Sequence, residues 1–391
     1  MTTTTPGPLT GIRVIDFSQA MLGPAATMSL GDFGADVVKI ERIGRGDLSR
    51  SSGQGAVDDA VFAGMNRNKR SLAVDLRQDE GRDLVRGLIS QADVVVSNFR
   101  PGVMERMGLA YEELAAENPG LIWACGSGYG HRGPDAGKPG QDVLAQAVSG
   151  LMARRSRPDE PLRVYPTCLA DYTAAMHLLS GILLALLDRQ RTGKGQVVEV
   201  SLLDSMLGMQ MQEAAAWLTA GADLNWGAMP LTAVFETRDR PIVVVGAFRE
   251  NPLRDICEAL GIGDLSTEPR FSTLDAMKAN VTELRALLDA AFREQPSELC
   301  LTELTARDIL CAPVVQMHEA LASEQAAQND MVWRSEDDAT VVVGSPVHLS
   351  RSPGAWRLRP PALGADGEAV LTDYGVDTDT VSRLRANGVI A

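Results

Sequence analysis

The chain has 391 residues, 45% hydrophobic and 23% charged, with a formal net charge of −14. That length suffices for two domains with cores of their own, and the composition is that of a globular protein. The acidic balance excludes the basic footprint of a nucleic-acid binder, although a local cluster of cations can still hold an anionic small ligand.

Strand and helix patterns alternate from the start. Gly11–Phe17 alternates like a strand, Gly23-Pro24 opens a helix to about Gly34, and Val37–Ile40 is a second strand. A polar, glycine-rich stretch spans Gly44–Gly55. Next come strand Ser71–Leu76, helix Gln78–Ile89, strand Ala92–Ser97, helix Tyr111–Asn118 and strand Leu121–Cys125. Helices are predicted over Asp142–Ala153 and Asp171–Arg191, then strand Gln196–Ser201 and a Met-rich helix Leu202–Ala220, whose Met206, Met209 and Met211 are expected to pack a core. Such alternation indicates a mostly parallel sheet covered on both faces, an α/β doubly wound (Rossmann-like) domain. Composition shifts near Gly221–Pro230, and a smaller α+β unit follows. It holds strand Pro241–Val245, helices Leu253–Leu260, Thr282–Phe292 and Ser297–Thr305, and helix His318–Ser323. Val341–Ser350 is strand-like and Thr380–Asn387 a terminal helix. The expected division is 1–220, 221–330 and 331–391, the last segment returning to the large domain.

Five widely spaced cysteines without a CxxC pair argue against a disulfide framework or structural zinc and predict a reduced, cytoplasmic protein. The four histidines make no metal spacing, so no metal is expected. Met1–Pro8 lacks the basic and apolar regions of a signal peptide and reads as a loose tail. The most apolar run, Ala174–Leu187, is interrupted by His177 and falls short of the roughly 20 residues a bilayer requires, so no membrane partner is expected.

The sequence contains no Walker loop, HExxH, GxSxG or strand-anchored GxGxxG. Asp171 falls where a loop gives way to the long apolar helix. As an N-cap it would accept backbone N–H bonds and stay ionised, and a carboxylate so held is a candidate nucleophile toward an activated acyl group. Arg42, Arg45, Arg50, Arg67, Lys69, Arg70 and Arg77 are concentrated near the first strand ends. They would form a positive rim suited to phosphates, at the edge where doubly wound folds bind ligands. Asn98-Phe-Arg-Pro-Gly102 occupies another strand end.

Taken in order, several segments resemble the class III CoA-transferase family (CaiB/BaiF type, with formyl-CoA transferases and α-methylacyl-CoA racemases). They are Leu9–Phe17, Gly31–Arg42, Asn66–Ser71, Asn98–Gly102, Gly140–Asp142, Asp171, Gly193–Gln196, Gly344–Pro346 and Pro360–Gly364. The resemblance implies a large domain built from both chain ends, a smaller middle domain, and two chains threaded as an obligate interlocked homodimer. It implies that Asp171 attacks an acyl-CoA thioester, forming a mixed anhydride and then an aspartyl-CoA thioester, which passes CoA to a free carboxylic acid. Coenzyme A and acyl-CoA are then substrates, and no tightly bound cofactor is required. Positions matching the family's CoA contacts are Met21, Leu22, Arg42, Val74, Asp75, Leu76, Arg77, Asn98, Phe99, Arg100 and Arg106. Lys138 and Gln141 would line the pantetheine arm and thioester.

The departures are specific. The racemase branch has a histidine where this chain has Gln141, and a second carboxylate near Arg249, so racemase or epimerase activity is the disfavoured alternative. A CoA-binding protein without catalysis is the other alternative. The glycine-rich loop of oxalate-specific members is missing around Trp226-Gly-Ala-Met229, which favours an acceptor bulkier than oxalate.

Overall fold

The computed structural model describes residues 6–51, 55–157 and 159–391. Part of the expected tail (residues 1–5) and part of the Gly44–Gly55 stretch (residues 52–54) lie outside the described residues. Strands β1 (Arg13–Asp16), β2 (Asp36–Glu41), β3 (Lys69–Ala73), β4 (Val94–Ser97), β5 (Ile122–Ser127) and β6 (Val197–Ser201) form one parallel sheet. Their order is β3-β2-β1-β4-β5-β6. Register makes Val14 the partner of both Val37 and Val94. Strand order reverses between β1 and β4, so a crevice opens at their carboxyl ends, the ligand position of this architecture.

Successive strand residues face opposite sides of the sheet. Ile15, Val38, Leu72 and Val95 pack one core with Leu371, Val381 and Val389 from the end of the chain. Val14, Val37, Val94 and Ile122 pack the other, against helices Leu22–Asp32 and Leu169–Thr192. The chain end is also bonded in, with Ile390 bridging to Val74.

The helix Leu169–Thr192 runs 24 residues, longer than expected. By length and composition it could cross a membrane, which corrects the inference drawn from its shorter apolar run. Here Ala174, Ala175, Leu178 and Ile182 are buried in the core. Gly193 ends it at φ 70°, a conformation that suits glycine, and donates its N–H to the Arg189 carbonyl.

Other expectations shift. Helix Asp142–Val148 stops before Gly150 (φ 84°) instead of running to Ala153. The Met-rich helix breaks at Gln210 into Leu202–Met209 and Met211–Ala220. Met206 is buried, but Met209 and Met211 are exposed, so only one of the three packs a core in this chain. Helix Ala56–Asn66, beside the glycine-rich stretch, was not signalled by its pattern.

The described chain separates into two compact units. One comprises residues up to Leu151, Val164–Gln210 and Glu324–Ala391; the other comprises Met152–Arg163 and Met211–Ser323. The boundaries differ from those expected because helix Met211–Ala220 and the excursion Met152–Arg163 belong with the second unit. Besides its main sheet, the first unit carries the antiparallel pair β10 (Val332–Arg334) and β11 (Val341–Val343). In the second unit, strands β7 (Thr232–Phe235), β8 (Ile242–Val245) and β9 (Leu310–Pro313) form an antiparallel sheet. Its core includes Phe235 stacked on Phe292, with ring centroids 4.4 Å apart.

The expected cationic rim does not form as a unit. Arg67 forks onto Asp32 at 2.9 and 2.6 Å, and Arg50 forks onto Glu41. Arg70 spans Asp36 and Asp373. Lys69, fully buried, donates to Asp16, Asn66 and the Pro24 carbonyl. These cations are structural because burial demands a counter-charge. Burial would raise the Asp16 pKa, but Lys69, Lys39 and the hydroxyls of Ser18 and Thr27 hold it down to about 2. Lys69→Met removes the ammonium paired with that buried carboxylate, and urea unfolding is expected to show a loss of about 3–5 kcal/mol. A loss under about 1 kcal/mol, the scale of an exposed pair, would contradict a structural role.

Candidate active site

The turn after β1 and the turn after β4 are buckled together at the strand-order reversal. The Asn98 carboxamide accepts from the Gln19 N–H at 2.8 Å and donates to the Gln19 carbonyl at 2.7 Å. Ala20 takes φ 62°, unusual for a residue with a side chain, and its N–H donates to Asp47 at 3.0 Å. Asp47 is in turn paired with buried Lys39 at 2.7 Å.

Two cavities meet at this buckle, and Gln19 and Phe99 line both. One, about 370 Å³, is walled by Ile40, Arg42, Val74, Asp75, Leu76 and Arg77. Arg42 is exposed there, and among the described residues no carboxylate pairs with it. Arg77 is engaged differently: its guanidinium forks onto Asp75 at 2.8 Å, which pulls the Asp75 carboxyl far below its ordinary range.

The second cavity, also about 370 Å³, is lined by Leu22, Asn98, Arg100, Lys138, Gln141 and Asp171. Its wall includes Gly128 and Gly140, whose backbones nearly touch. A Cβ on Gly128 would lie 2.4 Å from the Gly140 Cα, so neither position admits a side chain without displacing the loop that carries Lys138 and Gln141. Lys138 is paired with Asp135 at 2.6 Å, and Gln141 caps helix Asp142–Val148 by accepting from the Val143 N–H.

Most of the expected positions therefore converge on two joined cavities. Met21 precedes helix Leu22–Asp32 and lines neither, although its neighbour Leu22 does. Arg106 ends the short helix Val103–Arg106 and also lines neither. Gln19 was missed. The available signal was its position, as a polar residue just beyond the end of β1, at the reversal of strand order.

Asp171 is not the N-cap. Cys168 holds that position, and Asp171 sits in the first turn of helix Leu169–Thr192. Its own N–H donates to Asp142 at 3.0 Å, while among the described residues no hydrogen-bond donor meets its carboxylate. The expectation of a carboxylate kept firmly ionised by cap bonds is thereby corrected. Burial, and then the charge of Asp142, push Asp171 up from 3.8 to about 6. The Cys168 thiol, in a residue exposed overall, is raised by the partial burial of its sulfur and by the charges of Asp142 and Asp171.

One ligand atom from each of Asp142, Cys168 and Asp171 lies within 4.8 Å of the others. Both Asp142 oxygens already accept hydrogen bonds, from Gln146 and from the Asp171 N–H, so only two of the three donors are uncommitted. The arrangement suits nucleophilic chemistry better than metal binding. It offers a carboxylate that is ionised at neutral pH, poorly solvated and open to a cavity.

Fold and site together define a doubly wound α/β protein with two joined cavities, one lined by a carboxylate of raised pKa, at the sheet's carboxyl edge. The sequence profile of CoA-transferase family III matches residues 9–367, and the chain belongs to that family. It is 35% identical to an acyl-CoA transferase of Fusarium pseudograminearum (strain CS3096), over 98% of this chain and 88% of that one. It is also 35% identical to the acetyl-CoA:oxalate CoA-transferase of Acetobacter aceti, over 96% and 98%. A CaiB/BaiF family protein from Brucella suis superposes with a TM-score of 0.85 at 30% identity, covering 95% of this chain and all of that one.

A ¹³C-detected titration of the Asp171 carboxyl is expected to give a midpoint near 6, falling toward the ordinary range in Asp142→Asn. A wild-type midpoint near 3.8 would contradict the electrostatic account. The folded protein binds more protons than the unfolded chain between those two values. This group's contribution to stability therefore falls as pH rises through that window.

Proposed function

We propose that this CoA-transferase moves CoA from an acyl-CoA thioester to a free carboxylic acid through Asp171. The observation that carries the reading is the pair of cavities joined at Gln19 and Phe99, with Arg42, which pairs with no carboxylate among the described residues, in one and Asp171 in the other. Arg42 would meet a phosphate of the nucleotide end, Val74–Leu76 and Phe99 its apolar surfaces, and the pantetheine arm would pass Asn98 toward Asp171. Arg100, Lys138 and Gln141 would lie near the thioester.

In the first step an Asp171 oxygen attacks the thioester carbonyl, the C–S bond breaks, and a mixed anhydride and CoA thiolate result. The thiolate then attacks the aspartyl carbonyl, releasing the donor acid and leaving an aspartyl-CoA thioester. The incoming carboxylate attacks that thioester, giving a second anhydride. The thiolate takes the new acyl group and restores the Asp171 carboxylate. Each bond formed replaces one of similar energy, so no ATP is consumed, and the anhydrides survive only where water is excluded. A desolvated carboxylate with a raised pKa is more nucleophilic than a solvated one and is still ionised at neutral pH.

Racemisation would require a second acid/base group facing the bound acyl chain, and Asp142, the carboxylate beside Asp171, lines neither cavity. Gln141 does not titrate in the physiological range, and Arg249 is paired with Asp255 and Asp308. An acceptor bulkier than oxalate is favoured by the single glycine at Trp226–Met229. Assembly as an interlocked homodimer is supported by large apolar side chains left exposed in one chain, among them Leu184, Leu187, Trp217 and Leu218. A reduced, cytoplasmic setting fits five unpaired cysteines.

Asp171→Asn is expected to abolish transfer in a coupled CoA assay while calorimetry shows nearly unchanged CoA affinity. Wild-type turnover would remove Asp171 from the mechanism. Arg42→Ala is expected to weaken CoA binding by about 1.5–3 kcal/mol, the scale of a lost hydrogen bond to a charged group. Unchanged affinity would place the phosphate elsewhere.

A further inference from the structure

The segment leading into the nucleophile helix is exposed throughout Val164–Cys168. Its bonds Thr167 N–H to the Tyr165 carbonyl and Leu169 N–H to the Thr167 carbonyl are local. Among the described residues, apart from the helical bond from the Tyr172 N–H to the Cys168 carbonyl, its hydrogen bonds beyond its own neighbours all go to one side chain, Gln146, which is fully buried on helix Asp142–Val148. The Gln146 Oε1 accepts from the Tyr165 N–H at 3.1 Å. Its Nε2 donates to the Thr167 carbonyl at 3.1 Å and approaches the Tyr165 carbonyl at 3.4 Å. The same nitrogen donates to Asp142 Oδ1 at 2.6 Å. Rotating the amide would face an oxygen to three acceptors and a nitrogen to an N–H, so these partners set its orientation.

Asp142 has a second task. Cys168, at the N-cap, makes no side-chain capping bond, and Asp142 Oδ2 accepts the Asp171 N–H instead. A carboxylate from a neighbouring helix thus meets the positive end of the nucleophile helix. Gln146 holds both parts of that contact, the loop that delivers the helix start and the carboxylate that receives it.

We propose that Gln146 is a positioning residue for Asp171, acting through Asp142 and the Tyr165–Thr167 main chain. It lines neither cavity, so it touches no substrate held there. The inference rests on the reading of Asp171 as nucleophile. Without Gln146, the entry loop loses its anchor and Asp142 loses its strongest donor. Asp142 then turns toward solvent, and the carboxylate it steers is reoriented. Small displacements of a reacting group cost rate more than binding.

The test compares Gln146→Leu and Gln146→Glu with wild type in steady-state kinetics across pH, with hydrogen exchange followed over residues 164–172. Gln146→Leu is expected to lower kcat by about ten- to a hundredfold with the acyl-CoA KM within about twofold, and to speed exchange at the Asp171 amide. Gln146→Glu supplies a donor only while protonated, so its deficit is expected to grow as pH rises. It also serves if the leucine variant does not fold. A wild-type kcat in Gln146→Leu, or a pH-independent deficit in Gln146→Glu with unchanged exchange at Asp171, overturns the inference. If Asp171→Asn is inactive while Gln146→Leu is normal, this inference alone falls. If Asp171→Asn turns over normally, both readings fall.

Discussion

Two lysine ammonium groups buried beneath the carboxyl edge of the sheet set the conditions for everything above them. Lys39 bridges Asp47 and the Ser18 carbonyl, and Lys69 bridges Asp16, Asn66 and the Pro24 carbonyl. A buried ammonium without a partner costs several kcal/mol, so these contacts must be complete whenever the domain is folded. Their completion fixes the turn Ser18–Ala20, including the left-handed Ala20 that Asp47 bonds. Gln19, held in that turn, belongs to both cavities. The crevice is shaped by ion pairing below it.

Asp16 and Asp171 show how environment shifts one residue type in opposite directions. Both are withdrawn from water. Asp16 faces two ammonium groups and two hydroxyls and is held ionised down to about 2. Asp171 faces another carboxylate, meets no hydrogen-bond donor among the described residues, and is lifted to about 6. The first is inert and structural. The second keeps its negative charge at neutral pH with little to stabilise it, the condition in which attack on an acyl carbon is most favourable.

Much of this was legible in the residues. Alternation in the first strand and short apolar runs in the others marked all six strands of the parallel sheet, most of which bury both faces between layers of helix. Asp171 was legible from its place at the head of an apolar helix, but its position within the first turn was not. An unpaired Cys168 as N-cap leaves no side-chain signature, and the group that answers the helix, Asp142, is on another element. The run of cations between Arg42 and Arg77 resembled a phosphate rim because their partners are distant in sequence: Asp16 for Lys69, Asp32 for Arg67, Asp373 for Arg70. Only folding reveals that these charges are already answered. Gln19 and Gln146 carry no motif, and their importance comes from the groups brought around them.

In the proposed cycle residue 171 becomes transiently acylated and then thioesterified during turnover. The most direct measurement is borohydride reduction of the working enzyme followed by peptide mapping. Recovery of residue 171 as the reduced alcohol, dependent on added acyl-CoA, is the predicted result. An unmodified Asp171 in enzyme that has accumulated product would contradict the account.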